Sequence, residues 1–228
     1  MTEAIKILSF YANLEMPKGL PDGVGVLNPF KDKKVFYLNE LFYHKYYNDK
    51  LKRTFLIGIN PGRFGAGVTG IPFTDPIRLQ EVLGFENELD KKAELSSKFI
   101  YDLIDYSGGP EIFFGSFYFT SVSPIGFVKN GKNLNYYDQK DLQDKLEPFV
   151  VDALWQQVET INCNRNVAYS LGQGKNFKYL EKLNNEHGFF NRVEPLPHPR
   201  WVMQYRLKRK QEFIDLYGEK LHLHLNDF

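Results

Sequence analysis

The sequence predicts an α/β fold, an open and mostly parallel sheet with helices on both faces. Three observations carry that expectation. Short apolar runs bounded by Gly, Pro and Asn alternate along the chain with stretches of helical periodicity. Phe55, Leu56, Ile57, Gly58 and Ile59 are apolar at consecutive positions, as a strand buried on both faces requires. Glycines at 172 and 174 stand where a strand hands over to a helix.

At 228 residues and 43% hydrophobic content, the chain is sized for one domain, residues 1–228, with a substantial core. Its 20 Phe and 14 Tyr suffice for that core and for a surface on which a planar ligand can stack. A net charge of only +1 means that affinity for nucleic acid has to come from a local patch. The single cysteine, Cys163, excludes an intrachain disulfide and a multi-cysteine metal site, which suits a reducing, cytoplasmic setting. No stretch approaches the roughly 20 apolar residues that span a bilayer, so no membrane partner is expected.

Taken in order, residues 1–16 read as an amphipathic helix with Ile5, Leu8 and Ala12 on one face. Glu3, Lys6 and Glu15 argue against a targeting segment. PKGLPDGVGVLNPF, residues 17–30, reads as an irregular surface crossing, and residues 38–47 as a short helix under the sheet. The apolar strand follows and is ended by Asn60 and Pro61. Asp75 is placed as a helix N-cap, with Pro76 at the first helical position and Gly84 as the stop. Between that strand and that helix lies a loop of about 14 residues, a length usually functional in a compact domain. It holds glycines at 62, 65, 67 and 70 together with Phe64, Ile71 and Phe73, too apolar for a solvated tether. Neither the P-loop spacing nor G-x-G-x-x-G is present, so a nucleoside triphosphate or NAD is not indicated. A purely structural loop stays open at this point.

Residues 86–106 have mostly helical spacing, closed by Gly108, Gly109 and Pro110. FFGSFYFTSV, residues 113–122, reads as a second strand, and NGKN at 130–133 as a turn. Residues 138–161 are predicted helical with a restart at Pro148 and a buried stripe of Leu142, Leu146, Phe149, Ala153 and Leu154. Residues 166–171 form a third strand, 177–183 a helix and 188–195 a fourth strand. In such sheets ligands bind beyond the carboxyl ends of the strands. That rule gathers Asn60, Ser121, Ser123, Gly172 and the Pro197–His198–Pro199 stretch at one rim.

His198 is flanked by Pro195, Pro197 and Pro199, which hold its loop stiff. A histidine immobilised at a sheet rim suits hydrogen bonding to a ligand or proton transfer; simple capping of the next helix is the alternative. Arg200 to Lys210, RWVMQYRLKRK, contains five cations and no acid. With Met203, Leu207, Ile214 and Tyr217 as a buried stripe, this helix presents Arg206, Lys208, Arg209 and Lys210 to solvent or to phosphate. His222 and His224 are too few for a structural zinc site, and no metal is expected.

GINPGRFGAGVTGIPF (58–73), SVSPIGF (121–127), GKNL (131–134) and PHPR (197–200) together resemble the uracil-DNA glycosylase superfamily. Within it they are most similar to the single-strand-selective monofunctional enzymes and their bacterial relatives, over residues 54 to 206. The resemblance implies a three-layer α/β/α sandwich around a four-stranded, mostly parallel sheet. It also implies hydrolysis of the N-glycosidic bond of a deaminated base in DNA, without metal or cofactor, and the chain is expected to act as a monomer. In that frame Asn60 positions the attacking water and His198 hydrogen-bonds the pyrimidine carbonyl as charge builds on the leaving base. Phe73 stacks on the extruded base, and Gly62 leaves room at the pocket floor. The basic run grips phosphates, with Arg200 or Trp201 as the wedge. Two departures stand out. Arg200 follows Pro199 directly, where relatives carry a longer His-Pro-Ser-Pro stretch. Ser121, with Ser123 nearby, occupies the place of a base-reading asparagine, which implies a pocket that also accepts xanthine. A non-catalytic nucleic-acid-binding protein of the same fold is the rival. A hydrolase of small nucleosides has little support, since no G-x-S-x-G is present.

Overall fold

The computed structural model describes residues 1–223; His224 lies outside that span. The chain opens with helix α1 (Glu3–Ala12), strand β1 (Gly25–Leu27), a 3₁₀ turn at Pro29–Lys31 and helix α2 (Lys33–Tyr46). Strand β2 (Arg53–Gly58) leads through the glycine loop, with its single helical turn α3 (Ala66–Thr69), to α4 (Pro76–Glu81). Helices α5 (Leu95–Tyr106) and α6 (Pro110–Ser116) precede strand β3 (Phe117–Ser121) and the hairpin β4 (Gly126–Lys129) and β5 (Lys132–Leu134). Then come α7 (Lys140–Thr160), β6 (Cys163–Leu171), α8 (Lys175–His187) and β7 (Val193–Leu196). Helix α9 (Pro199–Tyr205), a 3₁₀ turn at Leu207–Arg209 and α10 (Lys210–Leu221) close the described chain.

The main sheet has four strands in the order β3-β2-β6-β7, every pairing parallel. Side chains alternate across it, as the strand period of two demands. On β3 the Tyr118 and Thr120 hydroxyls reach one way to donate to Gln157 Oε1 on α7, at 3.2 and 2.7 Å. Phe117 and Phe119 point the other way, their rings 5.0 and 5.5 Å from Phe113 on α6. Phe55, Leu56 and Ile57 of central strand β2 are fully buried, so the sheet is covered by helices on both faces, an α/β/α sandwich. At the start of β2 the fully buried Arg53 is paired with Asp49 at 2.8 Å and donates to the Phe114 and Tyr46 carbonyls. A buried charge needs that compensation.

A second sheet, β1-β4-β5, is antiparallel and sits at the carboxyl end of β2. Its hairpin turns on Asn130 and Gly131, with φ of 51° and 69°, the two left-handed positions of a type I′ turn.

The differences from the sequence expectation have local causes. The buried stripe of α1 is Ala4, Ile7, Leu8 and Tyr11, at helical spacing, while Ile5 and Ala12 face solvent. The expected irregular crossing contains β1, which exists only through its pairing with β4. Residues 86–94 are not helical. Pro110 starts a helix at its first position, so Phe113 and Phe114 belong to α6 and the second strand begins only at Phe117. Pro148 sits on the exposed side of an uninterrupted α7. The fourth strand is shorter than expected, Val193–Leu196. The basic run is not one helix: it breaks at Arg206, which leaves Leu207 57% exposed instead of buried.

Candidate active site

The carboxyl ends of the four parallel strands open into a cavity of about 830 Å³, a size suited to a small planar ligand. Asn60, Gly62, Phe73, Ser121, His198, Arg200 and Trp201 all line it. Asn60 and His198, separated by most of the chain, thus share one wall-to-wall space.

Asn60 follows β2 directly, and its amide is clamped by the segment leaving β5. Oδ1 accepts the Tyr136 N–H at 3.0 Å, and Nδ2 donates to the Leu134 carbonyl at 3.3 Å and, more loosely, to Pro61 O at 3.4 Å. Opposite partners at the two ends fix which way the amide faces. One lone pair of Oδ1 stays available.

His198 is the N-cap of α9, with Pro199 at the first helical position. Its Nδ1 accepts the Arg200 N–H at 3.1 Å. Burial, reinforced by the Arg200 charge, pushes the imidazole pKa down to about 4. The ring is therefore neutral at physiological pH, and with Nδ1 an acceptor its proton resides on Nε2. Behind it the fully buried Tyr217 donates its hydroxyl to the Pro197 carbonyl and braces the loop.

The glycine loop is held from below. Buried Asn39 donates to the Thr69 carbonyl at 2.8 Å, and the Thr69 hydroxyl donates to Thr74 O at 2.7 Å. Asp75 caps α4 by accepting the Arg78 N–H at 2.9 Å, as the sequence indicates. Phe73 takes a left-handed φ of 56°, uncommon for an aromatic residue and frequent where function imposes it. Its ring lies 5.1 Å from that of Phe119 and directly over Gly58. A side-chain carbon at Gly58 would stand 2.8 Å from Phe73 Cζ and 3.3 Å from Ser121 Oγ. The Phe73 ring and Ser121 are thus packed against the same backbone point.

Ser121 is buried at the end of β3, and its hydroxyl has no hydrogen bond among the described residues. Ser123 is different. It is fully buried, and its hydroxyl donates to Ile125 O at 2.8 Å inside the turn toward β4, away from the cavity lining. The expectation that it borders a base does not hold. Within the expected phosphate-gripping run, two of the cations are already paired with acids. Arg209 is paired with Glu212 at 2.7 Å and Lys210 with Asp102 at 2.6 Å, and neither they nor the exposed Arg206 and Lys208 line the cavity. The cations that do are Arg63, Lys132, Lys175 and Arg200.

Other lining residues carry no signal in the pattern of the chain. Asn176, almost fully buried, donates to Gly58 O at 3.4 Å and to Ser170 Oγ at 3.1 Å, and accepts from the Tyr136 hydroxyl at 2.9 Å. It ties the end of β2 to the residue that holds Asn60. The glycines at 172 and 174 mark its loop but not its role. Glu94, within ENELDKKAE, reads as one solvated acid among several, yet it borders the cavity and its pKa is raised to about 7, chiefly by burial. Tyr205 on α9 is 59% exposed and Trp201 39%, with the Arg206 guanidinium 4.9 Å from the Trp201 ring centroid.

Comparison with known proteins agrees with this fold. Residues 44–222 match the model of the uracil DNA glycosylase superfamily. Among solved structures the chain is similar to the wild-type SMUG2 of Pedobacter heparinus, at 41% identity over 97% of both chains and with a TM-score of 0.94. No curated protein matches it. The superfamily match spans most of the chain, from before the glycine loop to beyond the clamped histidine, and the protein belongs to the uracil DNA glycosylase superfamily.

Proposed function

We propose that the protein is a monofunctional DNA glycosylase that hydrolyses the N-glycosidic bond of uracil, and of xanthine, in DNA, as the first step of base excision repair. Residues 1–228 act as a single domain and as a monomer in the cytoplasm, without metal or organic cofactor. The observation that carries this reading is the meeting of Asn60 and His198 across one cavity that also contains Phe73.

The target nucleotide leaves the stack and enters the cavity, because its glycosidic carbon is out of reach inside a duplex. The base lies on Phe73 and against the backbone at Gly62. The bond from C1′ to nitrogen breaks with its electron pair on the base. His198 donates Nε2–H to the carbonyl oxygen on which that charge settles, an interaction that strengthens as the bond breaks. Such a donor is worth about 3 kcal/mol in the transition state. A neutral imidazole suits the task, since it does not have to lose or gain a proton. Asn60 is no base; it holds the water that adds to C1′ once the sugar has cationic character. At Ser121 a hydroxyl, able to donate or accept, replaces an amide of fixed polarity, and this supports xanthine as a second substrate. Arg63, Lys132, Lys175 and Arg200 follow the phosphates, and Trp201 or Arg200 fills the gap left in the stack.

The test is release of base from uracil- and xanthine-containing oligonucleotides, read as alkali-labile abasic sites. A protein that binds such strands but leaves no abasic site would be the non-catalytic relative instead. Asn60→Ala and His198→Ala should abolish most product while leaving binding intact.

A further inference from the structure

Among the described residues one carboxyl group borders the cavity, that of Glu94. It stands at the N-cap of α5 and does not cap that helix with its side chain. No hydrogen bond or ion pair reaches its side chain among the described residues. Instead it lies across the glycine loop. A side-chain carbon at Gly65 would stand 1.9 Å from Oε2, and one at Gly62 would stand 2.9 Å from Oε1. The two glycines make the space that this carboxyl group occupies. Its backbone is fixed there by the Glu94 N–H, which donates to Asp75 Oδ2 at 2.8 Å.

The reaction leaves a proton without a destination. Water adding to C1′ has to lose one; an amide such as Asn60 does not accept it, and His198 is occupied at Nδ1 and already protonated at Nε2. Arg63, Lys132, Lys175 and Arg200 are cations. Gly62, beside which Oε1 lies, is two residues past Asn60, and Asn60, Gly62 and Glu94 line the same cavity.

We propose that Glu94 is the catalytic base for the attacking water. As the water oxygen bonds to C1′, its proton passes to a Glu94 oxygen; the glycosidic electron pair has gone to the base, which takes up a proton from solvent, and Glu94 returns its own to solvent. This rests on the glycosylase reading above. Titration fits the role. Burial raises the Glu94 pKa to about 7, with Arg200 opposing and Asp75 adding to the shift. Asp75 is itself paired with Arg78 at 3.0 Å, which limits its share. A base matched to the working pH is the most effective one. A lone acid in a DNA-binding cavity otherwise only repels phosphate.

Single-turnover release of uracil from a single-stranded oligonucleotide, measured from pH 5.5 to 9 on the wild type and on Glu94→Gln, tests the assignment. The wild-type rate should fall about tenfold per pH unit below about pH 7, as the ionised base is lost. Glu94→Gln, which keeps the shape, should be slower by about 10²-fold at pH 8, without that acidic limb. It should bind an uncleavable strand at least as tightly. An active wild type alongside a Glu94→Gln with an unchanged rate or limb overturns the assignment alone; an inactive wild type overturns the glycosylase reading and the assignment with it. Should the variant fail to fold, a wild-type profile flat through pH 7 is sufficient to overturn it.

Discussion

His198 Nδ1 accepts the Arg200 N–H at 3.1 Å, and this bond decides which imidazole nitrogen faces the cavity. The cap makes Nδ1 the acceptor and so leaves the ring proton on Nε2. His198→Ala should slow single-turnover base release by about 10²-fold or more while leaving binding of uncleaved DNA nearly unchanged. The folded-state pKa of about 4 lies below the ordinary 6.5, so between those values the unfolded chain binds the extra proton. Stability should rise with pH across that window, and His198→Ala should flatten the rise, as thermal melts from pH 4 to 7 would record.

Asn60→Asp should harm the protein, although a carboxylate is the better base. The aspartate keeps the Tyr136 N–H as a partner but turns an oxygen toward the Leu134 carbonyl, where the amide now donates at 3.3 Å. Loss of that bond with two acceptors facing each other should cost about 1–3 kcal/mol, visible as a lower denaturation midpoint. Base release should fall with it.

Gly58→Ala should displace the Phe73 ring, because the new methyl would lie 2.8 Å from Cζ. The expected result is a sharply raised KM for a uracil-containing strand with only modest loss of stability, since a ring at the cavity edge can move. Phe73→Leu in the same assay would show whether the aromatic face or mere bulk is required.

Ser121→Asn should narrow the substrate range. An amide of fixed polarity in place of the unpartnered hydroxyl should raise the ratio of uracil to xanthine release at least about tenfold. Equal loss on both substrates would mean that this position shapes the cavity without reading the base.

Lys132→Ala with Lys175→Ala should weaken DNA binding and lower the slope of log K against log salt by about 1–2. Arg209→Ala with Lys210→Ala should do much less, because Glu212 and Asp102 already neutralise those cations.

Much of this site is legible in the sequence, for a physical reason. Asn60, Phe73 and His198 lie in stretches whose backbone is constrained by Gly and Pro, and such constraint leaves a mark in composition. The two-sided burial of Phe55–Ile57 also betrays the central strand. Glu94 and Asn176 leave no such mark: each is an ordinary polar residue that matters only through what the fold brings beside it. The same is true of Arg209 and Lys210, whose partners Glu212 and Asp102 turn a basic stretch into ion pairs. Pro110 misleads in the opposite sense, since a residue that breaks helices also begins them.

The antiparallel sheet has an effect beyond its size. Leu134 and Tyr136 aim the Asn60 amide, the hairpin carries them, and Gly25–Leu27 flanks that hairpin on its outer edge. Those three residues precede the span matched to the superfamily and make no hydrogen bond to the amide. On the glycosylase reading, the aim of the Asn60 amide is thus supplied from outside the parallel scaffold, and loosening this remote brace should slow turnover before it unfolds the protein.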